Sequence, residues 1–250
     1  LEPTVNLFLV GGTVRDWLLK RPASNDVDFA VEAESFDAMK NALAARGLRV
    51  WQERPEFVTL RGKLPTSELG DFGGLLKLGR GTWLDADFTL CRSETMYHDK
   101  RHPSTVTPAS LKVDLARRDF TVNAVAVSEN GTWHDPHYGQ ADAKGQWLRT
   151  VGNAQDRFNE DPLRMLRAFR FAVMLNLSPV HEVVEACWTP ELLELLGTLP
   201  VERVRQELGK AFAHDWFRAV QQMGDTFLGL GKAVSKHHPN LWLKATTEDK

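Results

Sequence analysis

The sequence predicts an α+β protein: a mixed-sheet α/β head over residues 1–134, then an all-helical segment over residues 135–250. Two observations predict it. Short strand-like apolar runs alternate with helix-period segments up to about His134. Beyond that point only helical periodicity recurs, with acidic residues at the helix starts.

Val5–Val10 reads as a buried strand, and its LFLV centre is too short for a signal-peptide core. Gly11-Gly12 reads as a turn and Thr13–Lys20 as a short helix. Asp26–Glu32 is the next strand, followed by a helix over Ser35–Arg46 that Gly47 closes. Leu48–Trp51 and Phe57–Arg61 read as strands. Residues 62–81, rich in Gly and Leu with weak periodicity, read as a long loop. In Thr82–Cys91, Leu84, Ala86, Phe88 and Leu90 alternate with Asp85 and Asp87, the pattern of a half-buried strand. Val122–Val127 and Thr132–His134 flank Glu129-Asn130-Gly131, a hairpin turn. In the second half, Asp161–Met174, Pro190–Leu199 and Val201–His214 read as helices, with shorter helical pieces to about Val234 and a frayed end at Ala245–Lys250.

The chemistry follows from carboxylates. Asp26 and Asp28 share one strand face, and Asp87 stands on a second strand. Acids gathered at one sheet end repel unless cations hold them, and hard oxygen-seeking cations, Mg²⁺ above all, do so where phosphates react. Gly11 and Gly12 let backbone N–H groups approach a triphosphate, and Arg15, one turn into the helix, can add a charge-assisted contact. A lone Gly-Gly would mean only a tight turn. The adjoining Asp-x-Asp strand turns that reading toward phosphoryl or nucleotidyl transfer.

Composition narrows the class. A net charge of −2 excludes a uniformly basic nucleic-acid coat but leaves local basic surfaces such as Arg117, Arg118, Arg164, Arg167 and Arg170. Cys91 and Cys187 are the only cysteines, without zinc spacing, so a reducing compartment fits. No apolar run is long enough to span a membrane. The expected setting is the cytoplasm, an organelle matrix or a host cytoplasm. The first residue is Leu1 rather than Met, so a preceding piece is expected to be missing.

The segment LVGGTVRDWLLKRPASNDVDFAVE (9–32) resembles the head of the class II nucleotidyltransferases, the CCA-adding tRNA nucleotidyltransferases and bacterial-type poly(A) polymerases. The resemblance continues through RSETMYHDKRHPSTVTPA (92–109), DLARRDFTVNAVAV (114–127), HDPHYGQADAKGQWLRTVGNAQDRF (134–158), EDPLRMLRAFRFA (160–172) and VERVRQELGKAF (201–212). It implies a polymerase-beta-like head on a helical neck and body, and a template-independent enzyme that builds the CCA end of tRNA from CTP and ATP. A poly(A) polymerase, or a partial CC- or A-adding enzyme, is the nearest alternative. Two readings lie further off: an RNA-binding protein on a degenerate head, and a toxin-like transferase acting on another acceptor.

The resemblance assigns Asp26 and Asp28 to two Mg²⁺ ions, with Asp87 as the third carboxylate and Asp85 the weaker of that strand pair. It places Arg118 on the incoming nucleotide and Asp119 and Asn123 around the ribose or bracing the site. Arg117 faces phosphate or solvent. In EDPLRMLRAFRF, Asp161 and Arg164 stand three apart, so they share a helical face that Arg167 and Arg170 continue with drift. The ordinary meaning of such spacing is a surface ion pair. The functional one is base selection: Asp161 accepts from the amino group of cytosine or adenine, and Arg164 donates to the adjacent ring nitrogen. In the family this pair selects CTP and ATP.

Other clusters carry less. His214-Asp215 lacks companions for a metal site, His134 and His137 read as loop hydrogen-bonders, and Trp188, Trp216 and Trp242 read as core. Lys20 stands where the family often has Gly. Only about forty residues follow VERVRQELGKAF, so a compact form lacking most of the tail is expected. Glu94, Tyr97, Asp99, Arg101 and Pro103 look like the family's intact flexible loop, which favours full CCA addition over CC addition.

Overall fold

The computed structural model describes residues 5–22, 27–76, 82–97 and 103–241. Contacts divide the chain into two compact units, Leu1–Met96 with Pro103–Ala143, and Tyr97–His102 with Lys144–Lys250.

The first unit is built on a seven-stranded sheet of β1 (Asn6–Val10), β2 (Val27–Glu32), β3 (Arg49–Arg54), β4 (Thr59–Pro65), β5 (Trp83–Leu90), β8 (Ala126–Ser128) and β9 (Trp133–His134), in the order β3-β4-β5-β2-β1-β8-β9. Only β2 and β5 run parallel; their neighbours are antiparallel. A smaller ribbon pairs β6 (Arg92–Tyr97) with β7 (Pro103–Pro108). Alternation puts Leu7, Leu9, Phe29, Val31, Leu60, Leu84, Ala86, Phe88 and Leu90 into one core. Phe29 stacks on Phe88 at 5.2 Å and meets Phe72 at 5.3 Å. Burying each such ring stabilises the unit by roughly 1.5–3 kcal/mol.

Helix α1 (Gly11–Leu18) leaves β1 directly, so the two glycines open the helix rather than a separate turn, and Gly11 takes φ +73°. Helix α2 (Phe36–Ala45) starts at Ser35, whose hydroxyl accepts from the Ala38 N–H at 3.0 Å, and it buries Met39 and Leu43 in the core. Gly47 at φ +81° turns the chain into β3.

Three expectations for this unit are corrected. Residues 62–65 are not loop but the second half of β4. Gly62 sits in mid-strand because a Cβ there would fall 2.8 Å from the Arg49 carbonyl oxygen. Past Pro65 the chain makes a 3₁₀ turn (Thr66–Glu68) and the short helix α3 (Phe72–Leu75). The third correction concerns Val122–Val127, of which only the end is strand. Thr121–Asn123 form a 3₁₀ turn, since the Thr121 hydroxyl donates to Asp142 at 2.7 Å and Gly139 closes on the Thr121 carbonyl. The Glu129–Gly131 turn does join β8 to β9, with Ala126 opposite His134.

Among its described residues from Lys144 on, the second unit is helical apart from a two-stranded pairing of β10 (Trp147–Leu148) and β11 (Ser178–Pro179). It contains α6 (Ala154–Glu160), α7 (Leu163–Leu175), α8 (His181–Ala186), α9 (Pro190–Glu194), α10 (Val201–His214), α11 (Trp216–Gly224) and α12 (Leu228–His237). The span predicted as one helix from Pro190 to Leu199 is α9 followed by a 3₁₀ turn, Leu195–Thr198. Helix α7 is its axis. Leu163, Leu166, Phe169 and Val173 are buried as the pattern predicts, and so are Met165, Ala168, Phe171 and Ala172. Phe169 packs against Phe212 and Phe227 at 6.0 and 5.6 Å. Asn176 ends α7 in the left-handed conformation. Two tryptophans depart from expectation: Trp188 is 44% and Trp216 67% exposed, so neither is core. Trp242 lies outside the described residues. Asp215 caps α11 by accepting from the Arg218 N–H.

Candidate active site

Asp28 on β2 and Asp87 on β5 are direct register partners across the one parallel pair of the sheet. Both project from the face opposite the aromatic core, because Val27, Phe29, Ala86 and Phe88 take the core side. Two carboxylates side by side on a half-buried surface make an all-oxygen donor set that suits a hard divalent cation. Asp26, two residues before Asp28, lies outside the described residues. Asp87 has a protein partner already: Arg61, opposite it on β4, donates from Nε to Oδ1 at 2.6 Å. Cross-strand pairing of this kind depends on register, so the role of Arg61 carries no mark in the linear sequence.

Gly11 forms the neighbouring wall. A Cβ on it would stand 2.7 Å from Asp28 Oδ2, so only glycine lets the α1 entry lie against this carboxylate. Gly12 follows in the first turn of α1. Arg15, one turn on, is held by Asp16 at 2.7 and 2.9 Å and reaches Asn123 Oδ1 at 3.4 Å. Asn123 in turn donates to Asp119 Oδ1 at 2.9 Å, and Asp119 also accepts from the Phe120 N–H. Arg15, Asn123 and Asp119 thus form one connected chain of polar groups beside α1.

Helix α4 (Leu111–Ala116) supplies a second anchor, Asp114, which is 1% exposed. One of its oxygens accepts from Arg117 and the other from Arg118. Burial pushes the Asp114 carboxyl up, but the two guanidiniums outweigh that and hold it below the usual carboxylate range. Arg118 also donates to the Asn123 carbonyl at 3.2 Å, so its position is tied to the Arg15 chain. Arg117 is a partner of Asp114 rather than a loose surface charge. His134 places its ring edge-on to Phe8 at 5.3 Å, while the loop after it is held by Asp135, which accepts from the Gly139 and Gln140 N–H groups.

The second unit carries the remaining predicted residues. Asp161 is not on the helix with Arg164. It closes α6 in an extended conformation, φ −143° and ψ 98°, because the following Pro162 disfavours helical geometry at the residue before it. The expected common helical face of Asp161 and Arg164 therefore does not exist. The two are joined differently: the Arg164 N–H donates to the Asp161 carbonyl at 3.0 Å, and Asp161 Oδ1 accepts from the Leu163 N–H at 3.0 Å. Desolvation raises the Asp161 pKa, against the opposing charges of Arg164, Arg167 and Arg203 and the Leu163 hydrogen bond. Arg164, 8% exposed as a residue, bonds through its side chain to Glu160 at 2.9 Å and to the Arg157 carbonyl at 3.3 Å. Arg167 and Arg170 flank Phe171 at 5.2 and 4.2 Å, and Arg170 is further locked to Glu207 of α10 at 2.6 Å. The side chains of Glu94, Tyr97, Asp99, Arg101 and Pro103 lie outside the described residues. Among the described residues, no helix is long and apolar enough to cross a membrane.

Comparison with known proteins fits this geometry. Residues 7–149 match the family model described as the poly A polymerase head domain. A CCA-adding enzyme of Streptococcus uberis is 38% identical over 219 residues, which cover 86% of this chain and 48% of the relative. The chain thus spans about half the length of the curated relatives it matches. The Bacillus stearothermophilus CCA-adding enzyme in complex with CTP superposes with a TM-score of 0.70 at 31% identity, over 93% of this chain and 51% of that one. A tRNA nucleotidyltransferase complexed with a primer tRNA and an incoming ATP analog gives 0.67 at 30% identity, over 94% and 59%. On the family match across more than half its length, the chain belongs to the poly A polymerase head domain family of nucleotidyltransferases.

Proposed function

We propose that this protein is a template-independent nucleotidyltransferase that adds or repairs the 3′-terminal CCA of tRNA from CTP and ATP. The in-register pair Asp28 and Asp87 beside the Gly11 wall carries the reading. The similarity to CCA-adding enzymes solved with CTP, and to a tRNA nucleotidyltransferase solved with primer tRNA and an ATP analog, supports the substrate class.

In this reading residues 1–134 act as the catalytic head and residues 135–250 as helical neck and body. Asp26, Asp28 and Asp87 would hold two Mg²⁺ ions, which would supply charge neutralisation on the triphosphate and acidify the primer 3′-hydroxyl. The Gly11-Gly12 entry and Arg15 receive the triphosphate, as backbone N–H groups and a guanidinium suit phosphate oxygens. Arg118, aimed by Asp114, contacts the nucleotide, and Asp119 and Asn123 fix the ribose side. The primer 3′-oxygen bonds to the α-phosphorus, the bond to the β-phosphate oxygen breaks, pyrophosphate leaves and the hydroxyl proton passes to solvent. Asp161 and Arg164 read the base edge, and Arg167 and Arg170 complete the nucleotide-binding set. Asp161 can play this part from its position before α7, since its second oxygen is not used in capping Leu163.

The family model itself is described for a poly A polymerase head, so processive A addition is the alternative. Sequencing the 3′ ends made from mixed CTP, ATP, UTP and GTP on a tRNA lacking CCA separates the two. Addition that stops at CCA supports the proposal; long A tails, or no addition to any RNA, overturn it.

A further inference from the structure

We propose that Trp83, Arg49 and Lys63 form a platform for the last unpaired nucleotides of the RNA primer beside Asp87. The proposal rests on the transferase reading above and assigns it a primer side. Register places the side chains on one face: Asp87 lies opposite Arg61, Asp85 opposite Lys63, Lys63 opposite Arg49, and Trp83 opposite Pro65. This is the face of the reacting carboxylates, since all are an even number of residues from Asp87 or its partners.

The sheet order separates two flanks. β1, whose end leads into the Gly11 entry, borders β2 on one side, while β5, β4 and β3 lie on the other. A triphosphate bound at Gly11 and Arg15 leaves the β5–β4–β3 flank for the attacking strand. On β5 the row runs from Asp87, the register partner of Asp28, back through Asp85 to Trp83. From Asp87 to Trp83 is about 13 Å at about 3.3 Å per residue, the length of roughly four stacked bases at about 3.4 Å each.

The chemistry suits single-stranded RNA. Trp83 is 41% exposed, and the Arg49 guanidinium lies over its ring at 4.2 Å. An exposed indole with a stacked guanidinium offers bases a flat, polarizable, cationic step, independent of base identity. Lys63 is 51% exposed and reaches Asp85 only at 3.6 Å, a weak solvent-screened pair that a phosphate can displace. A protein docked over the same row would cover the reacting carboxylates, which favours the substrate itself as the occupant.

The test is fluorescence anisotropy of a labelled acceptor-stem hairpin with an unpaired 3′ end, without nucleotides, against Trp83→Leu, Trp83→Phe and Arg49→Gln. Trp83→Leu should bind about tenfold more weakly, the loss of roughly one base stack, with Trp83→Phe recovering much of it. Arg49→Gln should lower the slope of log affinity against log salt by about 0.7. A blunt-ended hairpin should bind wild type and Trp83→Leu alike, and the KM for CTP should not move in either variant. Equal affinity of wild type and Trp83→Leu for the overhanging hairpin overturns the platform. Nucleotide addition by wild type, assayed separately, judges the transferase reading, so either idea can fall without the other.

Discussion

Gly11 and Asp28 leave no room for a side chain between them: a Cβ on Gly11 would meet Asp28 Oδ2 at 2.7 Å, and Gly11 stands at φ +73°. Gly11→Ala therefore strains the backbone and pushes the carboxylate aside. The expected cost is about 1 kcal/mol of stability, read in a urea titration. Single-turnover incorporation should fall about a hundredfold, since a misplacement near 1 Å at a reacting centre has that effect. Wild-type turnover in this variant would show that the position of Asp28 is immaterial.

If Asp161 reads the base edge as proposed, base choice depends on pH. Burial raises its pKa, so the folded state prefers the neutral acid: stability is fullest below the unfolded value and declines as pH rises through the folded one. An ionised Asp161 accepts from an amino group, whereas the protonated acid donates to a carbonyl. Lowering pH should therefore raise UTP incorporation relative to CTP. Asp161→Asn keeps an acceptor for the Leu163 N–H without the buried charge, so at neutral pH it should unfold at higher urea than wild type while losing CTP selectivity. A CTP-to-UTP ratio constant across the acid range would remove Asp161 from base reading.

The opposite sign applies to Asp114. Arg118 and Arg117 outweigh its burial and depress its pKa, so its contribution is present above the unfolded value and lost as pH falls through the folded one. Asp114→Asn strands two guanidiniums that are 18% and 24% exposed. At neutral pH the expected loss is about 3 kcal/mol, narrowing toward zero in acid. The KM for both nucleotides should rise as Arg118 loses its aim. A KM unchanged in a folded variant would detach Arg118 from nucleotide binding.

Arg170 and Glu207 pair at 2.6 Å with side chains only 13% and 10% exposed. Glu207→Ala leaves a buried guanidinium and should cost about 3–5 kcal/mol, measured by denaturant unfolding. The double change Arg170→Met with Glu207→Leu should recover most of it. If nucleotide KM then matches wild type, Arg170 supports α7 and takes no part in nucleotide binding.

Legibility followed locality. The alternation of Leu84, Ala86, Phe88 and Leu90 announced β5 and put Asp87 on the open face, and Val201–His214 is helical at both predicted ends. Where a residue's reason lay on another strand, the sequence misled: Gly62 looked like loop because the Arg49 carbonyl that requires it is thirteen positions away. Arg61, the partner of Asp87, was invisible for the same reason. For Asp161 two local signals compete: the i,i+3 spacing to Arg164 suggests one helical face, while Pro162 takes its predecessor out of helical geometry, and the proline prevails. The Asp114 anchor is local too: its arginines follow at three and four positions, the spacing of helical neighbours.

The outermost strand, β3, loses regular register between Val50 and Gln52. An interrupted margin is a poor template for a foreign strand, so the sheet resists lengthening by aggregation or swapping on that side. The border next to Arg49 and Trp83 can thus remain uncovered in a crowded solution, ready for a ligand that needs no backbone ladder to bind.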